Sequence, residues 1–519
     1  MILPSAQSAV SLALLLTASL TALPTTQANS HAHQLQILRS LEHRHRQLAP
    51  APSSAISDND PSTWPVADLA KIQRFRKKVS QRYSNSASVP AAKWSPPQAK
   101  AEGLDTTIAD SDQKVQDNIL QQIAKAIKSG IDLVADTIPT SATRPSTKME
   151  KRLLPASGTA GAAPAQNVVV LPLKDVVGSE SQDVEYLAQV QIGSPARTYS
   201  MQVDSGSSDA WIASVRCTTT PCLGVDGQRK RYNTSQSSTY APTPSNKTFE
   251  LYYSIGAVKG RMIRDTFSFS SSTGGNSLTV RKQTFGIANQ LSSDFATDQT
   301  DGVLGLGFQA LTAAGERTIL QNLFAQNNAS LASKIVSFYF GRSKSGTAAK
   351  SEMRIGATNP ALYKGNIHYV PVTRRAYWQF AFSRFGLAGA SAKNSVKGGA
   401  AGLKGIVDTG TSYIAMPWGN AADFWNAVPN SQAVEAYGYW VYPCSSTLNV
   451  NITLADGTVF PLNAADLNTG VAYSGSKNCI GAVFAADTDN SAIFGATFLK
   501  SVYTVLDWGQ SRIGFAPIA

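Results

Sequence analysis

The sequence predicts an all-β fold built from two related lobes with a site between them. Three observations point there. A hexapeptide pattern occurs twice in the globular region, as Val203-Asp204-Ser205-Gly206-Ser207-Ser208 and as Val407-Asp408-Thr409-Gly410-Thr411-Ser412. Ser, Thr, Gly and alternating β-branched residues dominate the last two thirds of the chain. Stretches such as Phe249-Glu250-Leu251-Tyr252-Tyr253 and Thr279-Val280-Arg281-Lys282-Gln283-Thr284-Phe285 read as half-buried strands between turns.

A single Asp-Ser-Gly is a common turn. This one and Asp408-Thr409-Gly410, with matching flanks, imply a duplicated unit that brings Asp204 and Asp408 together. Paired carboxylates can run acid–base hydrolysis without a metal, because two adjacent acids share a proton. Gly206 and Gly410 allow a tight approach of backbone that a side chain would block.

The doublet and its flanking segments resemble the pepsin-like aspartic peptidases, from roughly Tyr186 to Ala519, about two thirds of the chain. Trp211 stands where that family keeps a Trp beneath its flap. Tyr253-Ser254-Ile255-Gly256, followed by Gly260 and Asp265, resembles the flap hairpin with its Tyr. Asp301-Gly302-Val303-Leu304-Gly305-Leu306-Gly307 is similar to the segment backing the first Asp, and Ile493-Phe494-Gly495 to the one backing the second. Tyr503 to Asp507 and Ile513 to Ala516 resemble the last strands of the family.

The resemblance implies a bilobal pepsin-like aspartic peptidase fold, with an N-terminal lobe over 153–360 and a C-terminal lobe over 361–519. It implies catalysis by Asp204 and Asp408 on a water held between them, with no cofactor. Ser207 and Thr411 are then expected to bond the outer carboxylate oxygens, and Ser205 and Thr409 to tie the two loops together. The family more often has Thr where Ser205 stands; Ser keeps the donor and acceptor, so activity is expected to survive. Ala496 replaces an Asp common in relatives, which is expected to move the pH optimum slightly. Ile255, two residues after Tyr253, carries no charge to receive a Lys, so apolar or aromatic residues are expected around the cut.

Ala9 to Leu23 is almost wholly apolar or small, and Thr26-Gln27-Ala28 offers a cleavage site, so 1–28 reads as a secretory signal peptide. Residues 29–152 are rich in Pro, Ser, Ala and Gln and carry 18 Lys+Arg against 12 Asp+Glu. Within them Val115, Ile119, Ile123, Ile127 and Ile131 recur at helix spacing. A basic run spans Lys71-Ile72-Gln73-Arg74-Phe75-Arg76-Lys77-Lys78. This region is read as a propeptide that inhibits its own enzyme and is released at Lys151-Arg152. In the resembled family a propeptide Lys often sits on the catalytic pair; Lys71, Lys77 and Lys78 are the candidates. His31, His33, His43 and His45 also lie here and would charge on acidification.

The net charge of +12 invites a nucleic-acid reading, but no nucleic-acid motif accompanies it. The part after Arg152 has 28 Lys+Arg and 22 Asp+Glu, so extreme acid is not needed for stability, and an optimum of roughly pH 3–5 is expected for a dyad holding one proton. Four cysteines allow three pairings. The resemblance selects Cys217 with Cys222 and Cys444 with Cys479, and no metal site is expected. Even cysteines and the sequons at Asn233, Asn246, Asn328 and Asn451 fit a secreted glycoprotein. Secretion is expected, with an acidic vacuolar compartment as the alternative, without a stable membrane anchor, and as a monomer acting on protein or peptide substrates. The rival reading is a pepsin-like protein that has lost catalysis and acts by binding; both intact Asp motifs speak against it.

Overall fold

The structure, a computed structural model, describes residues 167–178 and 183–519, except 254–255, 273, 314, 344 and 400–401, together with Ala67, Ile72, Gln73, Arg76, Val79, Ser80 and Tyr83. The expected signal peptide over 1–28, the helix expected over 115–131, the four upstream histidines, Lys71, Lys77, Lys78 and the Lys151-Arg152 dipeptide lie outside the described residues.

The alternation seen in the sequence becomes strands with one buried face. In Val169–Val177 the residues Val169, Leu171 and Leu173 point inward while Pro172 and Lys174 are exposed. Among the described residues the strands form a 14-stranded, an 8-stranded and a 4-stranded sheet. Helices are short. Ile319–Gln326 starts at a capping box in which Thr318 and Gln321 satisfy each other's amides, and it buries Ile319, Leu320, Leu323 and Phe324.

Each half repeats one arrangement around its Asp. Arg197–Asp204 runs parallel to Gly302–Gly305, with Asp204 opposite Gly305. Ala210–Ala213 then lies antiparallel to Gly302–Gly305 and parallel to Ser277–Leu291. In the second half Lys404–Val407 runs parallel to Ser491–Phe494, with Val407 opposite Phe494. Ile414–Met416 lies antiparallel to Ser491–Phe494 and parallel to Val483–Ala485. The duplicated sequence is thus a duplicated strand order, and each Asp stands at the end of a strand where the chain turns.

The two halves share the large sheet. Val502–Asp507 and Arg512–Pro517 from the end of the chain join Ile335–Tyr339 and Glu352–Ile355, which continue into Val169–Val177 and Asp183–Ile192. A buried ionic cluster crosses the same region. Lys500 Nζ lies 3.2 Å from Asp183 and 2.7 Å from Asp466, whose other oxygen is 2.8 Å from Arg342 Nε. Removing one member would strand a buried charge, at a cost of about 3–5 kcal/mol.

Aromatic packing sets the second Asp loop. Phe494, fully buried, contacts Phe380, Phe382, Phe385 and Phe498 at ring separations of 5.3–5.9 Å. Truncating such a ring to Ala costs about 3–5 kcal/mol, and here the cavity would open directly behind Gly495 and Asp408.

Candidate active site

Asp204 and Asp408 are almost fully buried and face each other's loops. A Cβ placed on Gly206 would come within 2.6 Å of an Asp408 oxygen, and one on Gly410 within 2.4 Å of an Asp204 oxygen. Glycine at both positions is therefore what lets the carboxyls approach.

The hydrogen bonds repeat in pairs. Gly206 N–H donates to Asp204 Oδ1 at 3.0 Å and Gly410 N–H to Asp408 Oδ1 at 2.9 Å. The hydroxyls of Ser207 and Thr411 donate to Asp204 Oδ2 and Asp408 Oδ2, each at 2.5 Å. Between the loops, Ser205 N–H donates to Thr409 Oγ1 at 2.9 Å and Thr409 N–H to Ser205 Oγ at 3.0 Å. The same hydroxyls donate onward, Ser205 Oγ to the Val407 carbonyl and Thr409 Oγ1 to the Val203 carbonyl, both at 2.8 Å. This network gives both oxygens of each carboxyl a donor from its own loop.

Asp204 is held from behind by Leu306 N–H donating to its carbonyl at 2.8 Å. Trp378 Nε1 in turn donates to the Leu306 carbonyl at 2.9 Å, so the second half braces the first. Asp301 accepts amide protons from Ser200 at 2.8 Å and Lys230 at 2.7 Å, and burial raises its pKa. Asp209, five residues past Asp204, accepts from Ala313 N–H at 2.9 Å; burial pushes its carboxyl up to about 6.

Thr248–Tyr253 and Gly256–Ser270 form a hairpin whose last pair is Tyr253 opposite Gly256. Ser254 and Ile255 at its tip lie outside the described residues. Trp211 is fully buried in a cluster with Phe249, Val258 and Met262 from the hairpin strands, and Phe295 meets it edge-on at 5.7 Å. Cys217 pairs with Cys222 and Cys444 with Cys479, at Cα separations of 5.6 and 5.0 Å.

One residue at the site carries no mark in the local sequence. Tyr83, 1% exposed, donates its hydroxyl to Asp408 Oδ2 at 2.7 Å, and its ring lies 4.9 Å from that of Tyr377. Ile72, Val79 and Tyr83 pack with Tyr377, Tyr413, Tyr439 and Phe484 of the second half. Arg76 Nε donates to the Ala485 carbonyl at 2.6 Å, and Asp487 N–H to Ser80 Oγ at 2.9 Å. The one available signal is periodicity: Ile72, Arg76, Val79 and Tyr83 fall on one helical face at i, i+4, i+7 and i+11. The lysines of the neighbouring basic run are the more conspicuous residues in sequence, and they mask this face.

Paired carboxyls on duplicated loops in a two-part β structure are an arrangement that can run acid–base hydrolysis. Comparison with known proteins agrees. The family profile described as eukaryotic aspartyl protease matches residues 185–518. Major aspartyl peptidase 1 of Cryptococcus neoformans var. grubii is 28% identical over 352 residues, covering 65% of this chain and 69% of that protein. Gastricsin of Cavia porcellus is 30% identical over 347 residues, covering 65% and 81%. An aspartic protease of Phaffia rhodozyma is 30% identical over 348 residues, covering 65% and 77%. The chain belongs to the eukaryotic aspartyl proteases and is a pepsin-like aspartic-type endopeptidase.

Proposed function

We propose that this endopeptidase is a secreted zymogen whose upstream region, 29–152, closes its own cleft, and that the released enzyme cuts proteins in acid beside apolar residues. The observation that carries the reading is the Tyr83 hydroxyl on Asp408 Oδ2 at 2.7 Å. A substrate carbonyl and its attacking water need the Asp408 carboxyl, and the phenol already holds one of its oxygens.

Once the segment leaves, Asp204 and Asp408 share one proton. The ionised member takes a proton from the water as it attacks the peptide carbonyl. The protonated member hydrogen-bonds the carbonyl oxygen and later protonates the leaving nitrogen. Acid favours this state because one carboxyl must stay protonated. The Tyr253 hairpin is read as the flap, and the aromatic residues around Tyr377 support an apolar or aromatic preference.

Two disulfides support an oxidising destination. Asn246 and Asn328 are exposed, which suits glycan attachment; Asn233 and Asn451 are half-buried. No helix among the described residues is long and apolar enough to cross a membrane.

The test is to treat the full chain with acid and then follow cleavage of a denatured protein at about pH 4, with and without pepstatin. Pepstatin-sensitive cleavage, together with a new N-terminus at Leu153, is expected. A folded, processed product that cuts nothing would replace this reading with that of a binding protein.

A further inference from the structure

Arg76 occupies a made-to-measure recess. The short turn Glu435–Tyr437 ends at Gly438, which has a left-handed φ of 59°. A Cβ on Gly438 would lie 2.1 Å from both Cζ and Nη2 of Arg76, so the guanidinium rests directly on bare backbone. Its Nε donates to the Ala485 carbonyl at 2.6 Å, and Ala485 N–H donates back to the Gly438 carbonyl at 2.9 Å, which fixes the two walls together. Tyr437 and Tyr439 stack on each other at 6.1 Å on either side of the glycine in sequence. A cavity of about 390 Å³ continues beside it, lined by Gln73, Arg76, Ser80, Ala436 and Tyr437. Burial lowers the guanidinium pKa, so the group is partly stripped of water here.

We propose that Gly438 and the Ala485 carbonyl form an arginine-binding subsite of the cleft, filled by Arg76 in the full chain and by an arginine of the protein substrate in the released enzyme. This rests on the zymogen reading above and names a substrate class for it: peptides with an arginine at a set distance from the cut.

The distance comes from Tyr83. Arg76 and Tyr83 both stand at helical positions, seven residues apart in sequence. At a helical rise of about 1.5 Å per residue, seven positions would span about 10 Å along an axis. An extended peptide rises about 3.3 Å per residue, so the same span takes about three residues. Tyr83 marks the reacting position through Asp408. A substrate arginine about three residues from the scissile bond would therefore reach the recess. A planar guanidinium lies flat on a glycine backbone, whereas a Lys ammonium is a compact, strongly hydrated point charge and fits it less well.

Two measurements decide this. In the full chain, hydrogen exchange over residues 67–83 is compared for wild type, R76Q, G438A and the double variant. Loss of a hydrogen bond from a charged group is expected to raise exchange about tenfold or more in each single variant, with little further rise in the double. Unchanged exchange in R76Q, or additive effects, would overturn the subsite. The acid-processed product is then given apolar peptides in which one Arg, Lys or Gln is walked through positions on both sides of the cut. Arg is expected to beat Gln about tenfold in kcat/KM, through KM, at a single position about three residues from the cut, with Lys between them. In G438A that ratio is expected to fall to about one. No preferred position, or a preference that survives in G438A, overturns the substrate assignment. A product that cuts no peptide at all overturns it together with the zymogen reading, while the exchange cycle still decides whether the recess holds Arg76.

Discussion

Ser205 and Thr409 exchange backbone amide hydrogen bonds through their hydroxyls, 2.9 Å in one direction and 3.0 Å in the other, and so lock the two Asp loops into one rigid unit. Each hydroxyl is buried and also donates to a carbonyl of the opposite loop. Ser205→Ala would leave the Thr409 amide and the Val407 carbonyl without this partner, at a cost of about 1–3 kcal/mol for each stranded group. A lower melting temperature and a fall in kcat larger than the rise in KM are expected for S205A. Ser205→Thr keeps both bonds and should retain activity. Thermal unfolding and steady-state kinetics on the pair check this, and an S205A enzyme with wild-type kcat would refute the role.

Asp204→Asn and Asp408→Asn each remove one member of the proposed acid–base pair while keeping shape. Positioned acid–base groups contribute about 10²–10⁴-fold each, so either change is expected to reduce cleavage at least to that extent. Folding should be little affected, because Asn can still accept from Gly206 or Gly410 at Oδ1. Circular dichroism and cleavage assays on the acid-treated chain separate a dead site from a misfolded protein.

The paired Asp loops were legible because local chemistry dictates them. Gly206 and Gly410 must be bare, Ser205 and Thr409 must carry hydroxyls, and the pattern occurs twice. The strand order around them reflects that duplication. Contacts between distant segments left little trace. Tyr83 reaches Asp408 across 325 residues, and nothing in its neighbourhood marks it except a helical period shared with countless surface helices. The cluster of Asp183, Arg342, Asp466 and Lys500 is likewise four scattered charges in sequence and one buried network in space. The Arg76 recess depends on a left-handed glycine 362 positions later, a pairing that no local signal reports.

Tyr83→Phe in the full chain removes the phenol donor and keeps the ring against Tyr377. A hydrogen bond to a charged group contributes about 1.5–3 kcal/mol, so opening of the cleft should become about tenfold more frequent or greater. Acid-triggered processing is expected to start sooner in Y83F and sooner still in Tyr83→Ala, which also empties the aromatic contact. The time course of the processed band on gels reads this directly. Identical lag times for Y83F and wild type would show that the hydroxyl does not hold the segment in place.

Stability should fall as pH rises from acid to neutral. Burial lifts the Asp175 carboxyl to about 7 and the Asp209 carboxyl to about 6, and raises Asp301 as well, from an ordinary 3.8. A raised carboxyl binds its proton more tightly in the folded state than in the unfolded one. Its contribution is therefore complete below the unfolded pKa and is lost as pH climbs through the folded value. The window runs from about pH 4 to about pH 7. Exposed Asp456, whose pKa is lowered by the Thr458 amide, acts in the opposite sense, and its contribution changes only below that window. Asp175 is the steepest case, since the negative charge of Asp183 adds to burial while Ser351 and Lys500 oppose it. Asp175→Asn imitates the protonated acid at every pH, so it should melt like wild type in acid and above wild type near neutrality. Melting temperatures of both proteins across this range provide the check. Parallel curves for the two proteins would mean that Asp175 does not govern the loss.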